Sequence, residues 1–323
     1  MEKRFLLPEG GRFYKANLHC HSTLSDGALT IGELKEAYKS RGYSVLAYTD
    51  HRRYEDHRAL SDEDFLALAA YEINIDEYDW MSDHDHCKTY HLNFYDTDPD
   101  QNTGEKQKNL LPGHRYQDVG YINDFIARMN ELGFLCCYNH PYWSLQTVED
   151  YKNLRGLFAM EIYNHGCEHD GLYGYNPQAY DEMLRAGQHI GCLMTDDNHN
   201  AFPFGDPLCD SFGGFTMIKA PCLSYRAIIE ALKAGDYYSS MGPEINALWL
   251  EGSRLHISCS PVEKIFVVTD GRNTYKALAR PGETITGACF ELSGRDAYIR
   301  VDCRDGRGLH ACSRAYFADE LGV

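Results

Sequence analysis

The sequence predicts an α/β domain of repeated strand–helix units, followed by a small all-β unit. Three observations carry this. Nearly all-apolar runs of strand length recur up to about residue 240, amphipathic helical patterns separate them, and helical periodicity stops from about residue 243. Strands apolar on both faces mark a parallel sheet covered on both sides, either open or closed into a barrel. The expected division of the 323 residues is 1–242 and 243–323.

The first strand candidate is "ANLHC" (16–20). The helix after it, "TIGELKEAYKSRG", opens with Thr30 and Glu33 at capping-box spacing and ends at Gly42, which can take the left-handed turn that closes a helix. "SVLAYT" is the second strand and runs into Asp50 and His51. Further strand candidates are "YEINI" (71–75), "YHLNFY" (90–95), "FLCCYN" (134–139), "FAMEIY" (158–163), "IGCLMT" (190–195) and "FTMIKA" (215–220). Helical patterns lie between them, clearest at 116–132, 176–187 and 223–234. The polar stretch 96–120 is long for a connection inside a compact domain and reads as a lid or a disordered excursion.

After "GDYYSSMGPEI" the pattern changes to "NALWLEG", "RLHISCS", "KIFVVTDG", "ACFELSG" and "AYIRVDCRDG". Turn signals at Asp270-Gly271 and Asp305-Gly306 predict antiparallel hairpins, hence a sandwich-like unit of about 80 residues.

Composition narrows the function. Net charge is −17 and no Lys/Arg run occurs, which argues against gripping long nucleic acid through its phosphates. No apolar run is long enough for a membrane span, and "MEKRFLLPEG" is too short in apolar residues for a signal peptide, so the expected location is the cytoplasm. The 12 cysteines are scattered without any C-x-x-C, which fits buried thiols in a reducing compartment. Nothing in the sequence indicates an oligomeric state.

The informative residues fall at strand ends. His19 and His21 close the first strand and, at period two, point to the same side. His51 follows the second, Glu72 and His91 lie on the third and fourth, His140 caps the fifth, and Asp197 and His199 follow "CLMT". Strand C-termini of a parallel βα array converge on one face, so residues spread over 180 positions can meet there. Six histidines and three carboxylates, Asp26 among them, exceed what one tetrahedral zinc takes and suit two or three ions. His84 and His86 in "SDHDHCKTYH" form a second H-x-H pair that competes with His91; His91 is preferred because it lies on the apolar strand.

The ordered signatures "HCHSTLSDG", "TDH" (49–51), "NHP" (139–141) and "DNH" (197–199), with Glu72 and His91 between the second and third, resemble the PHP (polymerase and histidinol phosphatase) superfamily of metal-dependent hydrolases. The resemblance covers roughly residues 13–242. It implies a distorted (β/α)7 barrel with a trinuclear site of divalent zinc, manganese or iron. It implies one ion on His19, His21, Glu72 and Asp197, a second on Glu72, His91 and His140, and a third on Asp26, His51 and His199. The run "ALKAGDYYSSMGPEI" before the β-unit is similar to a carbaryl-hydrolase-related branch.

Three divalent ions would bring six positive charges against the three of Asp26, Glu72 and Asp197, leaving a cationic pocket in an acidic protein. The expected function is therefore hydrolysis of a small phosphorylated metabolite or nucleotide by metal-activated hydroxide. The alternatives are a carbamate or carboxylester hydrolase at the same site, and a non-catalytic metal-binding module. Arg52 and Arg53 either reach a bound anion or are exposed loop cations, and Trp143 either walls the pocket or packs. Glu161 and Asn164 either orient ligands or face the core. His57, His114, His165, His169, His189, His256 and His310 are read as structural, with His165 and His169 in a rim loop.

Overall fold

A computed structural model describes residues 3–101, 106, 111–113 and 115–322. After the short strand β1 (Lys3–Phe5), the barrel wall comprises β2 (Arg12–Asn17), β3 (Val45–Tyr48), β4 (Leu66–Asp76), β5 (Thr89–Asp96), β6 (Phe134–Tyr138), β7 (Ala159–Asn164), β8 (Gly191–Thr195) and β9 (Phe215–Ala220). The helices α1 (Ile31–Lys39), α2 (Val119–Glu131), α3 (Val148–Tyr151), α4 (His165–His169), α5 (Pro177–Arg185) and α6 (Tyr225–Ala234) lie between or after them.

The wall runs β9-β2-β3-β4-β5-β6-β7-β8. The runs β2-β3-β4 and β6-β7-β8 are parallel. Against the expectation of a parallel array, β5 is antiparallel to both neighbours and β9 is antiparallel to β2. The cause is local: residues 77–88 carry no α-helix, and a connection without a crossover joins strands as a hairpin. At the other seam, the Thr216 hydroxyl donates to the Met194 carbonyl at 3.2 Å. There Gly214 is required, because a Cβ would sit 2.2 Å from the Thr195 oxygen. The result is a distorted barrel closed by side-chain bonds at one seam.

Helical periodicity decides what each helix buries. In α2 the buried residues are Ile122, Ile126 and Met129, one face of the helix. The Thr30–Glu33 capping box forms as expected at the start of α1. On α6, Ile228, Ile229 and Leu232 join a cluster that takes a residue from every wall strand, from Ala16 and Ala47 to Leu193 and Ile218. This cluster includes Ala159, which opens β7, and Tyr95, near the end of the reversed β5, so α6 plugs the barrel end remote from the strand C-termini. Full burial of each such side chain contributes about 1.5–3 kcal/mol.

The remaining strands are β10 (Tyr237–Ser240), β11 (Ile245–Glu251), β12 (Arg254–Val262), β13 (Lys264–Thr269), β14 (Tyr275–Leu278), β15 (Ile285–Glu291), β16 (Tyr298–Arg304), β17 (His310–Ser313) and β18 (Tyr316–Phe317). They form an antiparallel sandwich. One sheet is β1-β11-β12-β15; the other, β14-β13-β16-β17, continues through β10 into the barrel wall. Alternate residues of β12 and β13 are buried, so Leu255 and Ile257 face Ile265 and Val267 across the core. The expected boundary at 242/243 is crossed at the N-terminus: Lys3–Phe5 pairs with β11, and Leu7 lies in the sandwich core. The buried Arg300 of β16 makes a bidentate pair with the partly buried Asp181 of α5, at 2.7 and 2.8 Å. The twelve cysteines are free thiols. No described helix is long and apolar enough to cross a membrane.

Candidate metal centre

The barrel rim is assembled by short backbone links beyond the strand ends. An isolated bridge joins Cys20 to Asn198, with His21 N–H donating to Asn198 O and Asp197 N–H donating to His19 O. This sets His19 and His21 beside Asp197 although about 180 residues separate them. A second bridge joins His51 to Glu72 on β4. Asp197 and Arg52 both have φ of 55°, a left-handed conformation that non-glycine residues adopt at a cost and that aims their side chains here. His91 reaches the same rim because β5 is reversed: it stands near the strand's beginning, opposite Asn74 of β4.

Glu72 is the hub. Its buried Oε2 lies 3.2 Å from His19 Nε2, 3.3 Å from His21 Nε2 and 3.2 Å from His51 Nδ1. Its Oε1 lies 2.9 Å from His91 Nδ1 and 3.6 Å from His140 Nε2, and accepts from Asn139 Nδ2 at 2.8 Å. Asp197 Oδ1 is 3.1 Å from His19 Nε2 and 3.0 Å from His21 Nε2, while its Oδ2 is 3.6 Å from His140 Nε2. Farther out, Asp26 lies 3.6, 3.6 and 3.5 Å from His21, His51 and His199. All nine residues that the sequence singled out therefore meet at one rim.

Three features fit this cluster to cations. The Nε2 atoms of His19 and His21 face each other at 3.1 Å and both lie within 3.3 Å of Glu72 Oε2 and Asp197 Oδ1, so a single cation can be held between them. Glu72 Oε2 and His140 Nε2 are buried without a hydrogen-bond partner, which is costly unless an ion occupies the space between them. The donor set groups as His19, His21, Glu72 and Asp197; as His51, Glu72 and His91; as His21, Asp26, His51 and His199; and as His19, His140 and Glu161, so that His51 stands with Glu72 and His91 where His140 was expected. His21 thus stands near the third group as well, through Nδ1, beyond the three residues expected there.

Electrostatics agree. Burial disfavours charge on His21, but the adjacent Asp197 and Glu72 carboxylates outweigh it and raise its pKa to about 10. His19 is raised well above its ordinary value against the same burial, by Asp197, Glu161 and Glu72. Burial also opposes ionisation of Glu72 and Asp197, yet the imidazoles hold both well below the carboxylate range. Burial pushes His51 down to about 3, with only partial compensation from Glu72. The site thus retains ionised carboxylates and gathers positive charge around them.

Glu161 faces the site and not the core: it accepts from His19 Nδ1 at 2.6 Å and from Thr195 Oγ1 at 2.7 Å. Asn164 Nδ2 donates both to Glu161 and to Asp197, at 2.9 and 3.0 Å. The sequence reading passed over Asp50, which accepts from the backbone and hydroxyl of Ser22 and from the Ser25 hydroxyl, shaping the loop that carries Asp26. It also passed over Asp210, which accepts from the His199 and Asn200 N–H groups. Asp50 sits inside the "TDH" motif, so adjacency was the available signal; Asp210 had none.

A cleft of about 560 Å³ opens over the cluster. Arg52 lines it and is half-buried; its backbone N–H donates to Glu72 O at 2.7 Å, while its guanidinium makes no hydrogen bond or ion pair among the described residues. Arg53 is outside that lining, held by Glu55 with Nε at 2.6 Å. Trp143 forms a wall, its ring about 5.2 Å from His140 and its Nε1 donating to Asp170. His84 also lines the cleft, whereas His86 is outward and paired with Asp83. His165 and His169 are not in a loop but in α4, with their Nε2 atoms 3.1 Å apart. The described part of the 96–120 segment includes buried Lys106, which bonds Asp96 at 2.7 Å; His114 lies outside the described residues.

No protein-family model matches the chain. A curated relative, the DNA polymerase/3'-5' exonuclease PolX of Bacillus subtilis, is 52% identical over 40 residues, which are 12% of this chain and 7% of that protein. Among solved structures, the chain is similar to a two-domain protein from Bacteroides vulgatus containing a predicted PHP-like metal-dependent phosphoesterase. That similarity has a TM-score of 0.48 and 15% identity, over 96% of this chain and 98% of the other. It is also similar to a candidate metal-dependent phosphoesterase from Bifidobacterium adolescentis, with a TM-score of 0.35 and 15% identity, over 64% and 94% of the two chains. The carbaryl-hydrolase-related branch finds no support among these similarities.

Proposed function

We propose that this chain is a PHP-type metal-dependent phosphoesterase that hydrolyses a small phosphorylated metabolite or nucleotide at a site for two to three divalent ions. The observation that carries the reading is the bridging position of Glu72, whose two oxygens face separate sets of imidazoles inside a buried pocket. A carboxylate so placed can hold two cations at once. Such ions, held by the nine rim residues, supply an activated water and neutralise charge on a phosphoryl group.

This chain's residues do the rest. Glu161 fixes the His19 ring and tautomer through Nδ1, leaving Nε2 free for ligation. Arg52, the one Lys or Arg among the described residues lining the cleft, offers a guanidinium to phosphoryl oxygens. Trp143 excludes water on one side. The test is a parallel panel of phosphomonoesters, aryl carbamates and carboxylesters, with metal content measured for the wild type and His140→Ala. Phosphate release that fails in His140→Ala supports the proposal. Turnover of carbamates or esters alone would replace it with the carbonyl hydrolase, and full metal loading without any turnover would replace it with a binding module.

A further inference from the structure

The cleft continues past the metal-ligating residues, and its far arm has the opposite electrical character. Glu72, Asn74 and Asp76 alternate along β4 and so share a face, with Thr89 and His91 beside them on β5. At the rise of an extended strand, Asn74 and Asp76 lie about 7 and 13 Å beyond Glu72. Asp76 is buried, lines the cleft, accepts from the Thr89 hydroxyl at 2.8 Å and from Asn74 Nδ2 at 2.5 Å, and has no basic partner among the described residues. No Lys or Arg among the described residues lines this end; Asp85, which also lines the cleft, is exposed and faces His84 at 3.4 Å. At the inner end of the same cavity, the buried, unpartnered Glu72 Oε2 and His140 Nε2 mark the cation positions against which a phosphoryl head would be met.

From this polarity we infer the substrate class: a phosphomonoester whose remote end donates hydrogen bonds, through hydroxyl or ammonium groups, and carries no second negative charge. Asp76 is its specificity-determining residue. The inference rests on the phosphoesterase reading. The carboxylate oxygens of Asp76 each hold one internal donor and keep lone pairs for a ligand, whereas a remote carboxylate or phosphate would meet the buried Asp76 carboxylate at low dielectric. Trp143, Leu145 and Leu172 form an apolar side of the cleft, so the connecting part of the substrate can be carbon-rich.

The test uses phenyl and biphenyl phosphates bearing aminomethyl, hydroxymethyl, hydrogen or carboxylate at the far para position, with the corresponding phosphonates as non-hydrolysed ligands. In the wild type, kcat/KM is expected to fall at least tenfold from the aminomethyl and hydroxymethyl esters to the carboxylate. In Asp76→Asn the span is expected to shrink to about threefold through KM, with metal content and thermal midpoint retained. Asp76→Glu is expected to keep the order of preference. Hydrolysis with no preference, or with a preference unchanged in Asp76→Asn, overturns the inference while leaving the phosphoesterase reading in place. If no ester is hydrolysed but phosphonate affinities follow the same Asp76-dependent order, the phosphoesterase reading fails and the cleft selectivity stands.

Discussion

Glu161→Gln is a sharp test of how the metal centre is held. Glu161 is fully buried and accepts three hydrogen bonds, from His19 Nδ1 at 2.6 Å, Thr195 Oγ1 at 2.7 Å and Asn164 Nδ2 at 2.9 Å. The amide keeps one neutral acceptor for His19 and loses the charge that makes the imidazole a better ligand. A charge-assisted bond contributes about 1.5–3 kcal/mol and a neutral one about 0.5–1.5, so the exchange costs about 1–2 kcal/mol. The new amide nitrogen would also face the Asn164 amide, which must then give up its bond to Glu161 or to Asp197. Together these amount to a loss of about 10–100-fold in metal affinity, the range typical of residues that orient a ligand from behind. The assay is competition with a chelator of known affinity, followed by kcat/KM in excess metal. Weaker metal retention with substantial rescue at high metal is expected. Affinity within twofold of wild type would refute the claim that this carboxylate tunes His19.

The other predictions concern the ligands, the loop, the pH dependence and the interface of the two units. Asp197→Asn or His19→Ala is expected to abolish metal binding and hydrolysis while circular dichroism shows the fold retained; unaltered turnover in both would remove the site assignment. Gly27→Ala places a Cβ 2.3 Å from the His21 carbonyl oxygen, so the loop must shift and carry Asp26 with it; elemental analysis should show the ion near His51 and His199 lost first. In chelator, the His21 pairings stabilise the fold fully below its ordinary pKa of 6.5, and this contribution is lost as pH rises through the folded value of about 10. Urea unfolding from pH 6 to 10 should therefore show a decline that His21→Asn lacks; equal slopes in the two proteins would contradict it. Arg300→Ala removes the buried guanidinium from the partly buried Asp181 and should cost about 3 kcal/mol in unfolding free energy; a cost below 1 kcal/mol would show that water replaces the guanidinium.

Much of the architecture was legible because it is local. Apolar runs, capping-box spacing and the Asp-Gly turns act over a few residues, and the barrel and sandwich follow them closely. The rim residues were legible for a related reason: imidazoles and carboxylates at the ends of apolar strands have few stable uses other than ligation or hydrogen bonding. The α4 helix was missed because Gly166 lowers helix propensity there. The structure pays no heed to that, since Asn164 caps the helix through the Cys167 N–H and the backbone of Gly166 donates to Asp196.

By itself, then, the sequence determined which side chains were available and which strand each one ends, because both are properties of neighbouring residues. Only tertiary structure decided the direction of β5, which brings His91 to the rim, the turning of Glu161 toward His19 and of Arg53 away to Glu55, and the seat of Lys3–Phe5 in the sandwich. Each of these depends on contacts between segments far apart in the chain. Their free energy lies in packing and charge pairing that exist only once the segments have met.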